Sequence, residues 1–104
     1  MSGSGGGGGN RNGVDLNCAT VSFTTTLASV QSDALQKVQV GDRLRVDIDD
    51  GKVVVVVPAS GKLVGSINWA QNSKLVSCME DGYEYAATVR EIDDGMVKVH
   101  VTTV

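Results

Sequence analysis

The run Val53-Val54-Val55-Val56-Val57 decides the fold. β-branched side chains lose χ1 freedom in a helix and pack well on a pleated strand. Neither parity of the run carries a polar residue, so both faces of this strand are expected to be buried. Asp49-Asp50-Gly51 stands before it and Pro58-Ala59-Ser60-Gly61 after it, which places a turn at each end. The run therefore reads as a central strand.

Its neighbours carry the same signal. From Arg43 to Asp49, Leu44, Val46 and Ile48 share one parity, and Arg43, Arg45 and Asp47 share the other. An Asp-Gly pair between two such runs is the strongest short-range hairpin signal. The same chemistry recurs at Asp93-Asp94-Gly95, between the strand-like stretch Tyr83 to Ile92 and the last stretch, Met96 to Thr103. There Val97, Val99 and Val101 face in, and Lys98, His100 and Thr102 face out. Lys62 to Ile67 reads as a short strand, in which Gly65 marks a bulge or a close backbone approach. Leu16 to Leu27 alternates like a strand with one wet face, and Phe23 is placed in the core. Ser32-Asp33 opens one or two helical turns through Ala34, Leu35 and Val38. A longer helix is predicted over Asn68 to Glu80. Asn68 is its N-cap, Gln71 completes a capping box, and Trp69, Val76 and Met79 share a face with Leu75 beside them. Gly82 supplies the stop.

These elements predict a mainly β fold. It is a small antiparallel β-barrel of about six strands, OB- or SH3-like, with one short helix capping an end. Closure would remove the edges that a valine-rich sheet exposes to aggregation. Residues 1–13 form a Gly-rich leader or linker that is expected to be disordered. Residues 14–104 form a single domain, since a chain of 104 residues supports one core. Aromatic residues are 4% of the chain, so that core must be aliphatic. No apolar segment follows Met1 as in a signal peptide, and no run reaches membrane-spanning length. The two cysteines, Cys18 and Cys78, are neither a CxxC pair nor flanked by histidine. The protein is thus expected to be cytoplasmic, with reduced thiols.

Composition also limits function. A net charge of −3 and a pI of about 4.9 work against nucleic-acid binding by bulk charge. His100, the only histidine, falls on an outward parity with no nucleophile or orienting acid suggested beside it. Asp49, Asp50, Asp93 and Asp94 lack calcium-loop spacing and read as turn residues. No catalytic, metal or cofactor site is therefore expected, and the chain reads as a non-enzymatic binding module. Its candidate surface is basic. Arg43 and Arg45 share the polar parity of one strand, and with Lys62, Lys74 and Trp69 they are expected to line one lip of the barrel. Cations beside a stacking aromatic suit single-stranded nucleic acid. The alternative is a protein–protein interaction or accessory domain without nucleic-acid binding, which the acidic balance favours.

The order of signals resembles the HIRAN domain. Val40-Gly41-Asp42 precedes a strand, and the valine run follows. Gly61-Lys62-Leu63-Val64-Gly65-Ser66-Ile67 comes next, then a helix with Leu75 and Gly82, a strand and a last hairpin. The likeness covers roughly Val38 to Val101, and Gly41, Asp42, Gly65 and Leu75 match at structural positions. Such domains occur alone in bacteria and phages and fused to helicase-like remodelling proteins in eukaryotes. The resemblance implies a small β-barrel that binds DNA ends or single strands. This chain departs from the family in having a tight turn at Asp49-Asp50-Gly51 where the family carries an Asn- and Asp-rich insert. The base-stacking aromatics of the family have Trp69 or Tyr83 as their only candidates here.

Overall fold

The computed structural model describes residues 16–104, so the Gly-rich leader lies outside the described residues. Its strands are β1 (Ser22–Thr26), β2 (Arg43–Asp49), β3 (Lys52–Val56), β4 (Leu63–Ser66), β5 (Tyr85–Asp93) and β6 (Met96–Thr103). Two α-helices join them, α1 (Ser32–Leu35) and α2 (Asn72–Glu80), and a single 3-10 turn covers Cys18–Thr20. Both Asp-Gly turns adopt the geometry that their chemistry favours. Asp50 and Gly51 have φ of 53° and 77°, and Asp94 and Gly95 have 49° and 88°. Positive φ at both central residues is a type I′ turn, whose twist matches that of the strands it joins. β2–β3 and β5–β6 are accordingly tight antiparallel hairpins.

The six strands form one sheet in the order β1-β6-β5-β2-β3-β4, and every neighbouring pair is antiparallel. β1 and β4 end the ladder, and strand pairing does not close the sheet into the predicted barrel. Ala28, just past β1, makes an isolated bridge to Ser66 on β4. Each N–H of that pair donates to the other's carbonyl at 2.8 Å. A single bridged residue does not extend β1 as a strand, because the backbone departs from the extended region at Ser29, whose φ is 51°.

The valine run behaves as its composition dictates. Val53, Val54, Val55 and Val56 are all buried, and Val55 is fully enclosed. Val53 and Val55 join Leu44, Val46, Val97, Val99 and Val101 in the aliphatic core, with Leu75 of α2 over it. Phe23 departs from expectation. It is half-buried at the core's margin, where its ring stacks on Trp69 with centroids 3.7 Å apart and planes 10° apart. Gly65 shows both features that its position suggested. The register shifts between Val55 and Val56 opposite β4, and a Cβ on Gly65 would meet the Ala28 carbonyl oxygen at 3.0 Å.

Three expectations need correction. The strand expected over Leu16 to Leu27 is confined to Ser22–Thr26, because the Asn17 side chain caps a 3-10 turn at Cys18–Thr20. The longer helix begins at Asn72, four residues later than predicted, and no Asn68 capping box forms. Asn72 is the reason. Its side-chain amide donates to the Ile67 carbonyl at 2.6 Å, and its Oδ1 accepts from the Trp69 N–H at 3.3 Å. That clasp holds residues 68–71 as a turn, and stacking draws Trp69 to Phe23. The cysteines, expected as reduced thiols, instead form a disulfide, Cys18–Cys78, with Cα atoms 5.5 Å apart. The Asn17 side chain accepts from the Ala19 N–H at 3.0 Å and so fixes the turn that presents Cys18 to the last turn of α2. A disulfide persists in oxidising compartments, so the thiol argument for a cytoplasmic location does not hold. No helix among the described residues is long and apolar enough to cross a membrane.

Candidate binding cleft

Pairing between β2 and β5 stops at Arg45 opposite Ala86. β2 runs on to Asp49 paired with β3 alone. β5 begins only one residue earlier, at Tyr85, so β2 runs past it, and the space beside the unpaired end of β2 is a cleft of about 580 Å³. Its walls include Ile48, Pro58, Met79 and Tyr83, and Arg43 and Arg45 stand at its lip. The alternation of an antiparallel ladder turns the Ile48 amide away from β3 and toward this gap. The Asp47 side chain accepts that N–H at 2.8 Å in place of a strand partner.

Both tyrosines of the chain line the cleft, in opposite environments. Tyr83 is 41% exposed, and its N–H donates to the Cys78 carbonyl at 3.1 Å at the end of α2. Tyr85 is 1% exposed, and its hydroxyl donates to the Cys18 carbonyl at 2.8 Å. Burial pushes the Tyr85 hydroxyl above the ordinary tyrosine range, and the neighbouring Tyr83 adds to the rise. Arg45 lies 3.5 Å from Asp47, both about half exposed. A pair so placed contributes about 0–1 kcal/mol, which leaves the guanidinium available to a stronger anion.

The predicted basic surface divides in three. Arg43 and Arg45 share the cleft. Lys62 lies 3.0 Å from Asp33 of α1, and its ammonium holds the Asp33 carboxyl below the usual range by hydrogen bonding and charge. Lys74 lines a different opening, beside the disulfide. Trp69 gives one ring face to Phe23 and is not among the residues that line the cleft. The exposed aromatic that accompanies the arginines is Tyr83, set by the turn at Asp81-Gly82 that ends α2. Met79 and Ile48 were legible only as helix-face and strand-face residues. His100 stands on the outward face, with Nε2 3.0 Å from Ser22 Oγ and Nδ1 2.7 Å from Thr24 Oγ1. Hydroxyls thus engage both ring nitrogens. Among the described residues, no cluster of three or more metal-ligating side chains occurs.

No protein-family model, no curated protein and no solved structure matches this chain.

Proposed function

We propose that this chain is a non-enzymatic, HIRAN-like binding module that takes a single-stranded nucleic acid, or the frayed end of a duplex, into the cleft between β2 and β5. One observation carries the reading: Arg43, Arg45 and the exposed Tyr83 line the same cleft. The guanidinium groups meet phosphate, and the phenol ring stacks on a base. On this reading the sheet curls into an OB-like barrel. Its support is the Leu27–Gln31 segment, which bonds to β6 through the Leu27 N–H on the Val97 carbonyl and to β4 through the Gln31 N–H on the Val64 carbonyl, each at 2.8 Å. Stacking is worth about 1–3 kcal/mol per base, so one aromatic and two cations give weak binding. The net charge of −3 opposes it further, and the two arginine–phosphate contacts make it weaken with added salt.

The test is a titration of labelled single-stranded oligonucleotide at low salt with the native chain, Arg43→Ala/Arg45→Ala and Tyr83→Ala. The expected result is binding that weakens with added salt and drops about tenfold in each variant, a loss of roughly 1.4 kcal/mol. Absence of binding by the native chain at low salt and high protein concentration ends the nucleic-acid reading. Binding indifferent to the arginine pair refutes the cleft as its seat. A protein partner is the second reading, favoured by the apolar walls that Ile48, Met79 and Pro58 supply. It requires an apolar peptide to bind with little dependence on salt.

A further inference from the structure

We infer that the Cys18–Cys78 disulfide is a thiol-exchange site whose state sets the shape of the cleft. Each cysteine holds one of the cleft tyrosines through its own carbonyl. Cys18 accepts from the Tyr85 hydroxyl at 2.8 Å, and Cys78 accepts from the Tyr83 N–H at 3.1 Å. Met79, the residue after Cys78, lines the same cleft. The bond therefore joins two supports of one wall across 60 residues of sequence.

Apart from the bond, the Cys18 side rests on the partly buried Leu16 and Cys18 against the core, on buried Val21, and on the Thr103 N–H to the Val21 carbonyl at 3.2 Å. None of Cys18–Thr20 is buried. The turn holds on through the bonds from Tyr85 and Thr103 to the Cys18 carbonyl, the latter at 3.0 Å, and through the Val21 N–H on Thr103 Oγ1 at 2.9 Å. Segments with few buried contacts open at low free-energy cost. The disulfide is also reachable. A surface opening is lined by Leu16, Cys18, Cys78, Lys74, Ser77 and Asp81, and Cys18 is only half-buried whereas Cys78 is 3% exposed. An incoming thiolate attacks Cys18 Sγ, forms a mixed disulfide there and expels Cys78 as a thiolate. The second thiol of a dithiol reductant then attacks the mixed disulfide, leaves as a cyclic disulfide and releases the Cys18 thiolate. With the bond gone the turn loosens, the Tyr85 hydroxyl loses a fixed acceptor, and the last turn of α2 relaxes with Met79 and Tyr83.

Amide NMR and hydrogen exchange on the full chain test this without any ligand, so the outcome is independent of what the cleft binds. Spectra are compared for the native chain, the native chain with excess dithiothreitol at neutral pH, and Cys18→Ser/Cys78→Ser. The expected result is reduction without denaturant, with shifts at Met79, Tyr83 and Tyr85 and about tenfold faster exchange over Cys18–Thr20. The Asp50-Gly51 turn should be unmoved, and the serine variant should reproduce the reduced spectrum. Any of three results overturns the inference: a bond that resists the reductant, cleft resonances that stay in place once it is cleaved, or collapse of dispersion throughout. The last would make the bond a staple of the whole fold.

Discussion

Gly65→Val tests the closest approach in the sheet. Gly65 lies on β4, buried, where the Leu27–Ala28 segment crosses it. A Cβ there would stand 3.0 Å from the Ala28 carbonyl oxygen and 3.1 Å from Leu27 Cβ. Both neighbours must retreat by a few tenths of an ångström even for alanine. The carbonyl is not free to do so, since it accepts from the Ser66 N–H at 2.8 Å. Overpacking of this kind costs about 1–3 kcal/mol. Removing a glycine also restricts the unfolded chain and returns about 0.4–1 kcal/mol. Alanine should therefore destabilise by about 1 kcal/mol. Valine adds two methyls to the same contact and should cost about 3 kcal/mol. In a domain of this size each kcal/mol moves Tm by about 4–8 °C, so the valine variant should melt at least about 12 °C below the parent. Thermal denaturation followed by circular dichroism, with a urea titration for the free energy, is the assay. A valine variant that melts within about 2 °C of the parent would show that Ala28 does not press on β4, and the bridge between them would fall with that result.

Val55→Ala removes two methyl groups from a fully enclosed site and should cost about 2–3 kcal/mol in urea unfolding, whereas Val57→Ala, half-buried past the end of β3, should cost under half of that. Tyr85 should ionise above the ordinary tyrosine range in an alkaline absorbance titration, and Tyr85→Phe should remove that late step. Because folding raises the Tyr85 value, its contribution to stability is present below the unfolded tyrosine range and is lost as pH rises through the folded value. Stability that is flat across that alkaline window would refute the buried placement of the hydroxyl.

The candidate site was half legible. Arg43 and Arg45 could be paired from their shared parity, because strand alternation is a local property. Lys62, Lys74 and Trp69 could not be placed that way, since each depends on where a separate loop or helix packs. Trp69 shows the reason. A helix beginning at Asn68 would have put it on the helix face, but the Asn72 clasp and the Phe23 ring hold it elsewhere. Tyr83 carried no stronger local signal than a tyrosine after a glycine. The cleft that gives it meaning lies where β2 runs past the start of β5, a strand separated from it in the chain by β3, β4 and α2.

By itself the sequence determined the strands and the two hairpins. β-branched runs, alternation and Asp-Gly turns act within a few residues, so their outcome needs no distant partner. Only the tertiary structure decided the strand order, the two strands that end the ladder, and the cleft. It also decided the fate of the cysteines. Spacing and supposed compartment argued for free thiols, yet folding brings Cys18 to within 5.5 Å, Cα to Cα, of a residue 60 positions away. Proximity of that kind is set by how the 3-10 turn and α2 pack on the sheet, a balance of many small long-range contacts that no local pattern in the chain records.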